Sequence, residues 1–180
     1  MSSDLEILAA PFLAAAAVLA VSGATKLRNP APASVAMRSV GLGGSTTTAR
    51  ALGAIELVVG VAALVAPVRA TALLLAVAYA GLAAFAVLVL RTRPGADCGC
   101  FGATSAPVGV AHVALDAAAA LVALGVAVDP LGSTADLLAD QPVAGVPFVV
   151  LTGLLAWLVV VTMTDLTALL RTVRTRGGAG

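Results

Sequence analysis

The two cysteines are the residues with the clearest capacity for chemistry, and they stand one residue apart at Cys98 and Cys100. Gly99 between them lets the backbone bend tightly, so the two sulfurs can close a small disulfide ring. Such a ring departs from relaxed disulfide geometry and is therefore strained and easily reduced. The spacing predicts a thiol–disulfide redox pair. The alternative is two idle thiols, because a buried free cysteine often acts as a small apolar side chain.

A zinc site is the weaker interpretation of the same cysteines. Structural zinc takes four ligands, and two thiolates with His112, the one histidine of the chain, supply three. The fourth would have to come from Asp97 or from a partner. We therefore predict no metal site.

A few ionisable residues lie inside apolar segments, where they are expensive and mark functional sites by default. They are Glu56, His112, Asp116 and Asp165. At about 1.5 Å per residue, Glu56 is roughly 10 Å, and His112 about 7–8 Å, from the side of the membrane that Lys26 borders. Asp116 lies one turn further in than His112, on the same helical face. We expect Lys26, Glu56 and His112 to support the cysteines from this side.

These residues have a structural interpretation as well. Glu56 and Lys26 would then be a pair that locks two helices together, and Asp165 would lie near the interface beside the basic tail. In the functional interpretation, His112 stabilises a cysteine thiolate and so raises its reactivity at neutral pH.

The elements that must position these residues are membrane helices. The chain is 61% hydrophobic and 11% charged, whereas soluble domains have about 45–50% apolar and about 25% charged residues. A membrane span needs about 20 mostly apolar residues. Five segments qualify: about 5–27, 49–65, 68–90, 108–128 and 146–170.

The predicted fold is an all-α, polytopic membrane helical bundle, with a four-helix core in residues 1–130. Residues 131–180 add an outer loop, a fifth transmembrane helix and a basic cytoplasmic tail.

Proline-containing turns separate the segments. Asn29-Pro30-Ala31-Pro32 is expected to stop the first helix, Pro67 to make a tight turn, and Arg93-Pro94-Gly95 and Asp129-Pro130 to stop the third and fourth. The first segment could alternatively be a signal peptide. Its start carries Asp4 and Glu6 without Lys or Arg, which is the opposite of the usual pattern, so we predict an uncleaved helix.

The basic residues predict the orientation. Nine of the ten Lys and Arg residues fall in the first connection, the third connection and the tail, and only Arg69 lies on the other side. By the positive-inside rule, a plasma-membrane protein of this kind has its N-terminus outside and its C-terminus in the cytoplasm. This orientation places Cys98 and Cys100 on the cytoplasmic side.

Three stretches resemble the MauE branch of the DoxX-like membrane proteins. Residues 22–30, Ser-Gly-Ala-Thr-Lys-Leu-Arg-Asn-Pro, resemble the end of that family's first helix, and the Glu56-Leu57 pair followed by Gly60 resembles its second. Cys98-Gly99-Cys100-Phe101-Gly102 matches its Cys-Gly-Cys-Phe-Gly signature, and the resemblance covers about residues 10–128. Two features depart from it. Leu115-Asp116 stands where many members have Arg-Asn, and the fifth segment lies outside the four-helix core.

The resemblance implies a redox-associated membrane protein linked to methylamine utilisation. Members of that family are thought to help mature the disulfide-rich small subunit of a periplasmic dehydrogenase. Cys98 and Cys100 would then be the redox pair, with Lys26 and Glu56 as family-typical polar positions. Maturation of a periplasmic dehydrogenase would require the cysteine pair outside the cytoplasm, whereas the charge bias places the pair on the cytoplasmic side.

The leading functional hypothesis is therefore a membrane thiol–disulfide protein with a protein redox partner, either thioredoxin-like or a dehydrogenase. A second is a metal- or small-molecule-handling protein that uses a pocket of Glu56, His112 and the cysteines. A third is a scaffold subunit of a larger membrane complex, with Gly53, Gly60 and the Ala-rich faces as contact surfaces. The sequence predicts no cofactor, and no residue supports a quinone. The lipid bilayer is a partner and nucleic acid is not, because the net charge is +1 without a basic run.

Overall fold

A computed structural model describes residues 8–96, 108–131, 152–154 and 156–159, and these residues form helices and connections with no strand. The helices are α1 (Ala9–Arg28), α2 (Ala31–Ser39), α3 (Thr46–Val65), α4 (Arg69–Thr92) and α5 (Val110–Val128). All except α2 are long and apolar enough to cross a membrane. The predicted all-α, multi-pass membrane bundle is thereby confirmed, and the first four predicted spans correspond to α1, α3, α4 and α5.

Several predictions concern residues outside the described part of the chain. Of the predicted fifth span at 146–170, residues 152–154 and 156–159 are helical, and the span as a whole stays a prediction. Cys98, Cys100 and Asp165 also lie outside the described residues. We call residues 97–107, which carry both cysteines, the thiol connection.

The first connection contains a helix that the sequence interpretation missed. α1 ends at Arg28 before Asn29, as expected, but α2 begins almost at once, with Pro30 as its N-cap and Pro32 in its first turn. Proline is well tolerated there, because the first N–H groups of a helix have no intrahelical partner. The same prolines therefore end one helix and begin the next.

The helices pack as two pairs, α1 with α3 and α4 with α5. Glycines set the first pair. A methyl carbon added to Gly23 would lie 2.5 Å from the Gly53 carbonyl oxygen, and one added to Gly60 would lie 2.6 Å from the Ala20 nitrogen. Neither methyl group fits, so α1 and α3 approach backbone to backbone, as small residues allow in membrane helices.

An apolar cluster joins the two pairs. Its fully buried side chains include Phe12 and Leu19 of α1, Leu75 of α4 and Val126 of α5. The Tyr79 hydroxyl donates a hydrogen bond to the Ala15 carbonyl oxygen at 2.7 Å. Large apolar side chains cover the outside of the bundle, among them Ile55, Val58, Val77, Leu121 and Val128. Lipid is the solvent that suits such a surface.

Where α3 meets α4, the connection is tied to the end of α5. α3 ends at Val65 and α4 begins at Arg69, on either side of the buried Pro67. The Leu131 N–H donates to the Pro67 carbonyl oxygen at 3.2 Å. Arg69 donates to the Ala127 carbonyl oxygen at 3.0 Å and to that of Val128 at 3.3 Å. We call residues 65–69 and 127–131 the turn end.

Candidate functional site

The site begins with one face of α3. Gly53, Glu56 and Gly60 are spaced by three and four residues, so they share a stripe of the helix. All three are buried, and the two glycines lie against α1. Because the backbones approach so closely at the glycines, Glu56 is held against α1, where Ser22 and Lys26 stand one turn apart. Helix geometry thus brings one acid and one amine together inside the bundle.

The three side chains form a closed hydrogen-bonded triangle. Lys26 Nζ lies 2.7 Å from Glu56 Oε2, and the two side chains are 4% and 3% exposed. Lys26 Nζ also donates to Ser22 Oγ at 2.6 Å, and the Ser22 hydroxyl donates to Glu56 Oε2 at 3.2 Å. Charge-assisted hydrogen bonds of this kind are about twice as strong as neutral ones. The pair is therefore well held on its Oε2 side.

The other carboxylate oxygen is different. Glu56 Oε1 is buried and lacks a hydrogen-bond partner among the described residues. An unsatisfied buried polar atom costs about 1–3 kcal/mol, and more when it is charged. Native proteins keep few such atoms, and each one calls for an explanation. Glu56 is also deep, because it lies ten residues into α3, about 15 Å along a helix of about 30 Å.

A second carboxylate approaches this pair from α5. Asp116 is partly buried and close enough to Lys26 and Glu56 to interact with both electrostatically. Tyr79 of α4 also interacts electrostatically with Asp116 and Glu56. The four membrane-crossing helices therefore each bring a polar side chain toward one region. We call Ser22, Lys26, Glu56 and Asp116 the polar cluster.

His112 is placed differently from the expectation. α5 begins at Val110, so His112 lies in its first turn, nearer the helix start than the predicted segment start at about residue 108 implied. Its Nδ1 accepts a hydrogen bond from the Gly109 N–H at 3.3 Å, and the side chain is 6% exposed. The ring thus caps its own helix. With Nδ1 as acceptor, the neutral ring carries its proton on Nε2.

The two residues that flank the thiol connection, Ala96 and Val108, lie next to each other. The Val108 N–H donates a hydrogen bond to the Ala96 carbonyl oxygen at 3.0 Å, so the two residues that flank the connection meet. Val108 is buried in a small apolar cluster, against which Phe85 and Val113 pack. Ala96 and Val108, which flank the connection in the sequence, therefore lie together directly before the first turn of α5, which carries His112.

A cavity of about 350 Å³ lies beside the polar cluster. It is bordered by residues of α1, α2, α3 and α4 and of the connection that follows α2. Among the described residues of its wall, Lys26 and Glu56 are charged and the others are apolar. Phe85 belongs both to this wall and to the packing around Val108. The cavity and the anchor of the thiol connection are thus neighbours.

The structure brings together Lys26 and Glu56, which confirms the pairing that the sequence suggested. Asp116 joins them, whereas the hydrogen bond of His112 stays within its own helix. Ser22 was missed as a member, although its position four residues before Lys26 is the helical spacing that predicts such a contact. Gly53 and Gly60 pack against α1. They are therefore not the partner surface that the scaffold hypothesis assumed.

Comparison with known proteins gives one match. A model of the family described as "Methylamine utilisation protein MauE" matches residues 5–129. No curated protein and no solved structure matches the chain significantly. The matched range includes the polar cluster, the cavity wall and the thiol connection, and it ends with α5.

Proposed function

The chain belongs to the MauE family, and on that premise we propose that it is a membrane thiol–disulfide protein whose reactive pair is Cys98 and Cys100. The hydrogen bond between Ala96 and Val108 is the observation that carries this proposal. It anchors both ends of the short connection in which the Cys-Gly-Cys-Phe-Gly motif stands. In the proposal, this anchored connection presents the pair to a partner protein.

The proposed reaction is a two-step thiol–disulfide exchange. The Cys98 thiolate attacks one sulfur of a partner disulfide, which forms a mixed disulfide and releases the partner's first thiolate. The Cys100 thiolate then attacks the Cys98 sulfur, which breaks the mixed disulfide and releases the second. The partner gains two electrons and this protein ends with a Cys98–Cys100 disulfide. The same steps run backwards when the partner is a dithiol, and neither direction needs a cofactor.

His112 and the start of α5 support this chemistry in the proposal. A helix N-terminus carries a partial positive charge, which stabilises a nearby thiolate. His112 Nδ1 is engaged by Gly109, so the ring would offer its Nε2–H to the sulfur. Lys26 and Glu56 act at a distance, by fixing α1 against α3. They are positioning residues in this proposal.

The partner is proposed to be a thioredoxin-like protein or a dehydrogenase with disulfides, and the setting to be the plasma membrane. The family description points to methylamine utilisation. The basic residues favour an external N-terminus and a cytoplasmic tail.

Trapping of the mixed disulfide tests the proposed chemistry. With Cys100→Ser, we expect a partner to stay attached through Cys98 and to be released by a reductant on a non-reducing gel. Cys98→Ser is the matched control, because it keeps one thiol but removes the attacking one, and we expect at least ten-fold less adduct. If both single variants support every phenotype of the wild-type protein, the redox proposal is wrong.

Labelling of intact cells with a membrane-impermeant maleimide tests the orientation. In the wild-type chain, we expect reduced Cys98 and Cys100 to be labelled only after permeabilisation. Two markers in a cysteine-free background calibrate the two sides. Thr47→Cys lies beside the predicted cytoplasmic surface, and Val68→Cys lies at the turn end. Labelling of the native pair and of Thr47→Cys before permeabilisation, with Val68→Cys labelled only afterwards, would reverse the predicted topology.

A further inference from the structure

The cavity beside the polar cluster has the size of a small-molecule site. Its volume of about 350 Å³ falls at the lower end of the roughly 300–1,000 Å³ found for ligand pockets. Such pockets are mostly apolar, with a few polar groups that fix the orientation of the ligand. Here the polar groups are the amine of Lys26 and the carboxylate of Glu56.

The hydrogen bonds of Lys26 and Glu56 show which donor and acceptor groups a ligand would have to supply. Glu56 Oε2 is held by Lys26 and Ser22, whereas Oε1 has no donor in the described structure. Glu56 lines the cavity, so a molecule in the cavity can supply that donor once the buried Oε1 turns toward it. Lys26 Nζ has three N–H groups and two described acceptors, so it can also donate to the same molecule.

A hydroxyl group matches both needs, since it donates one hydrogen bond and accepts others. A single water molecule also offers both. However, it would satisfy Oε1 without contacting most of the apolar wall. A hydroxyl on a hydrocarbon or aromatic body satisfies the pair and fills the apolar part as well.

The outward face of the cavity indicates the route of entry. Ile55 and Val77 on its wall are 60% and 70% exposed, and Leu42 is 46% exposed. On a membrane-spanning bundle such side chains face lipid. A ligand can therefore enter sideways from the bilayer, which favours apolar molecules over soluble metabolites.

We propose that this cavity binds an apolar, hydroxyl-bearing molecule from the bilayer, whose hydroxyl donates to Glu56 Oε1 and accepts from Lys26 Nζ. The chemistry is shared by phenolic head groups, such as hydroquinones, and by lipids with a free alcohol. The site does not depend on Cys98 or Cys100. Binding in a Cys98→Ser/Cys100→Ser protein therefore separates this inference from the proposed redox function.

The test measures equilibrium binding to that cysteine-free protein in nanodiscs of phosphatidylcholine, a lipid without a hydroxyl group. The probes are decylhydroquinone, its dimethyl ether and 1-decanol, and empty nanodiscs correct for partition into lipid. We expect at least one hydroxyl probe to bind ten-fold or more tightly than the ether. A preference for decylhydroquinone assigns a phenolic ligand, and a preference for 1-decanol assigns a lipid alcohol. Equal binding of the ether and both hydroxyl probes would overturn the proposal.

Two substitutions on α4 locate the binding. Gly81 lines the cavity, and an added methyl carbon would meet no atom within 4 Å. Gly81→Leu thus fills open space and favours the helix. We expect it to weaken binding at least ten-fold. Ala80→Leu is the matched control, because Ala80 is exposed and does not border the cavity, and it should leave affinity unchanged. Wild-type affinity in Gly81→Leu would exclude this cavity.

Glu56→Gln tests the hydrogen bond itself. Lys26 and Ser22 both donate on the Oε2 side, so the amide oxygen takes that side and an NH2 donor replaces the Oε1 acceptor. The hydroxyl and ether probes should then bind to within about two-fold of each other. Retention of the full preference in folded Glu56→Gln protein would contradict the assigned contact. Where this variant fails to fold, the Gly81→Leu and Ala80→Leu comparison decides the question alone.

Discussion

The polar cluster and the turn end each place a cation against another helix, and they do so in opposite ways. At the turn end, Arg69 is exposed, and it donates to the last carbonyl oxygens of α5. In the polar cluster, Lys26 is 3% exposed, and it meets a carboxylate that is itself buried. The first contact can be replaced by polar head groups or water, and the second cannot.

The difference shows which region is built for stability alone. At the turn end, Arg69 donates to carbonyl oxygens that the end of α5 leaves open, and the Leu131 N–H donates to Pro67 in the connection between α3 and α4. In the polar cluster, Glu56 Oε1 stays unsatisfied beside a cavity. A buried charge pair is weak evidence for stability, because desolvation offsets much of the attraction. We interpret the polar cluster as a binding feature that the surrounding close packing supports.

The largest expected effect comes from removing one partner of the buried pair. Lys26→Met leaves the Glu56 carboxylate without its cation and should lower the free energy of unfolding by about 3–5 kcal/mol. Lys26→Met with Glu56→Leu removes both charges and should recover most of that loss. Titration with SDS in mixed micelles measures both. Equal losses in the single and double variants would contradict the assignment of Glu56 as the uncompensated charge.

A pair of glycine substitutions sharpens the comparison at intermediate size. Gly23→Ala places a methyl group 2.5 Å from backbone atoms of α3, and should destabilise the protein by about 1–3 kcal/mol through overpacking. Gly81→Ala meets open space and should stabilise α4 by up to about 1 kcal/mol through helix propensity. The same unfolding titration compares them. Similar effects of the two changes would show that α1 and α3 do not need their close approach.

The smallest expected effect is at the turn end. Arg69→Gln removes a cation from the C-terminal end of α5 and should cost about 0.3–1 kcal/mol. The contact is exposed, so added salt should shrink the difference between variant and wild type. A loss as large as that of Lys26→Met would erase the contrast between the two regions.

The sequence was sufficient to predict the membrane class and the order of the spans. A run of about 20 apolar residues between proline turns has few structural alternatives to a membrane helix. The sequence left two interpretations open for Glu56, and the structural one named the Lys26–Glu56 pairing that the structure shows. It did not predict α2, because proline both ends and begins helices and the segment is too short and polar to register as a span. It expected both His112 and Asp116 near the pair; Asp116 interacts electrostatically with the pair, whereas the described hydrogen bond of His112 is with Gly109. An error of a few residues in a helix start shifts each depth by several ångströms.

The cavity and the unsatisfied Oε1 atom could not be predicted at all. Gly53 and Gly60 suggest a close helix contact, but small residues equally suit a contact with a partner protein. Only the three-dimensional arrangement shows that α1 occupies that face. The volume left between α2, α3 and α4 depends on the same arrangement and has no signature in the order of residues.

The packing of α1 on α3, described above as a matter of glycines, also has a consequence for biogenesis. Only α2 separates the two helices in the chain. The hairpin of α1 and α3 is therefore complete once Val65 has been synthesised. All the atoms of the Lys26–Glu56 pair are then present, before α4 exists. Glu56 can therefore enter the membrane already neutralised by an earlier helix. This local order of assembly spares the insertion machinery an isolated charge.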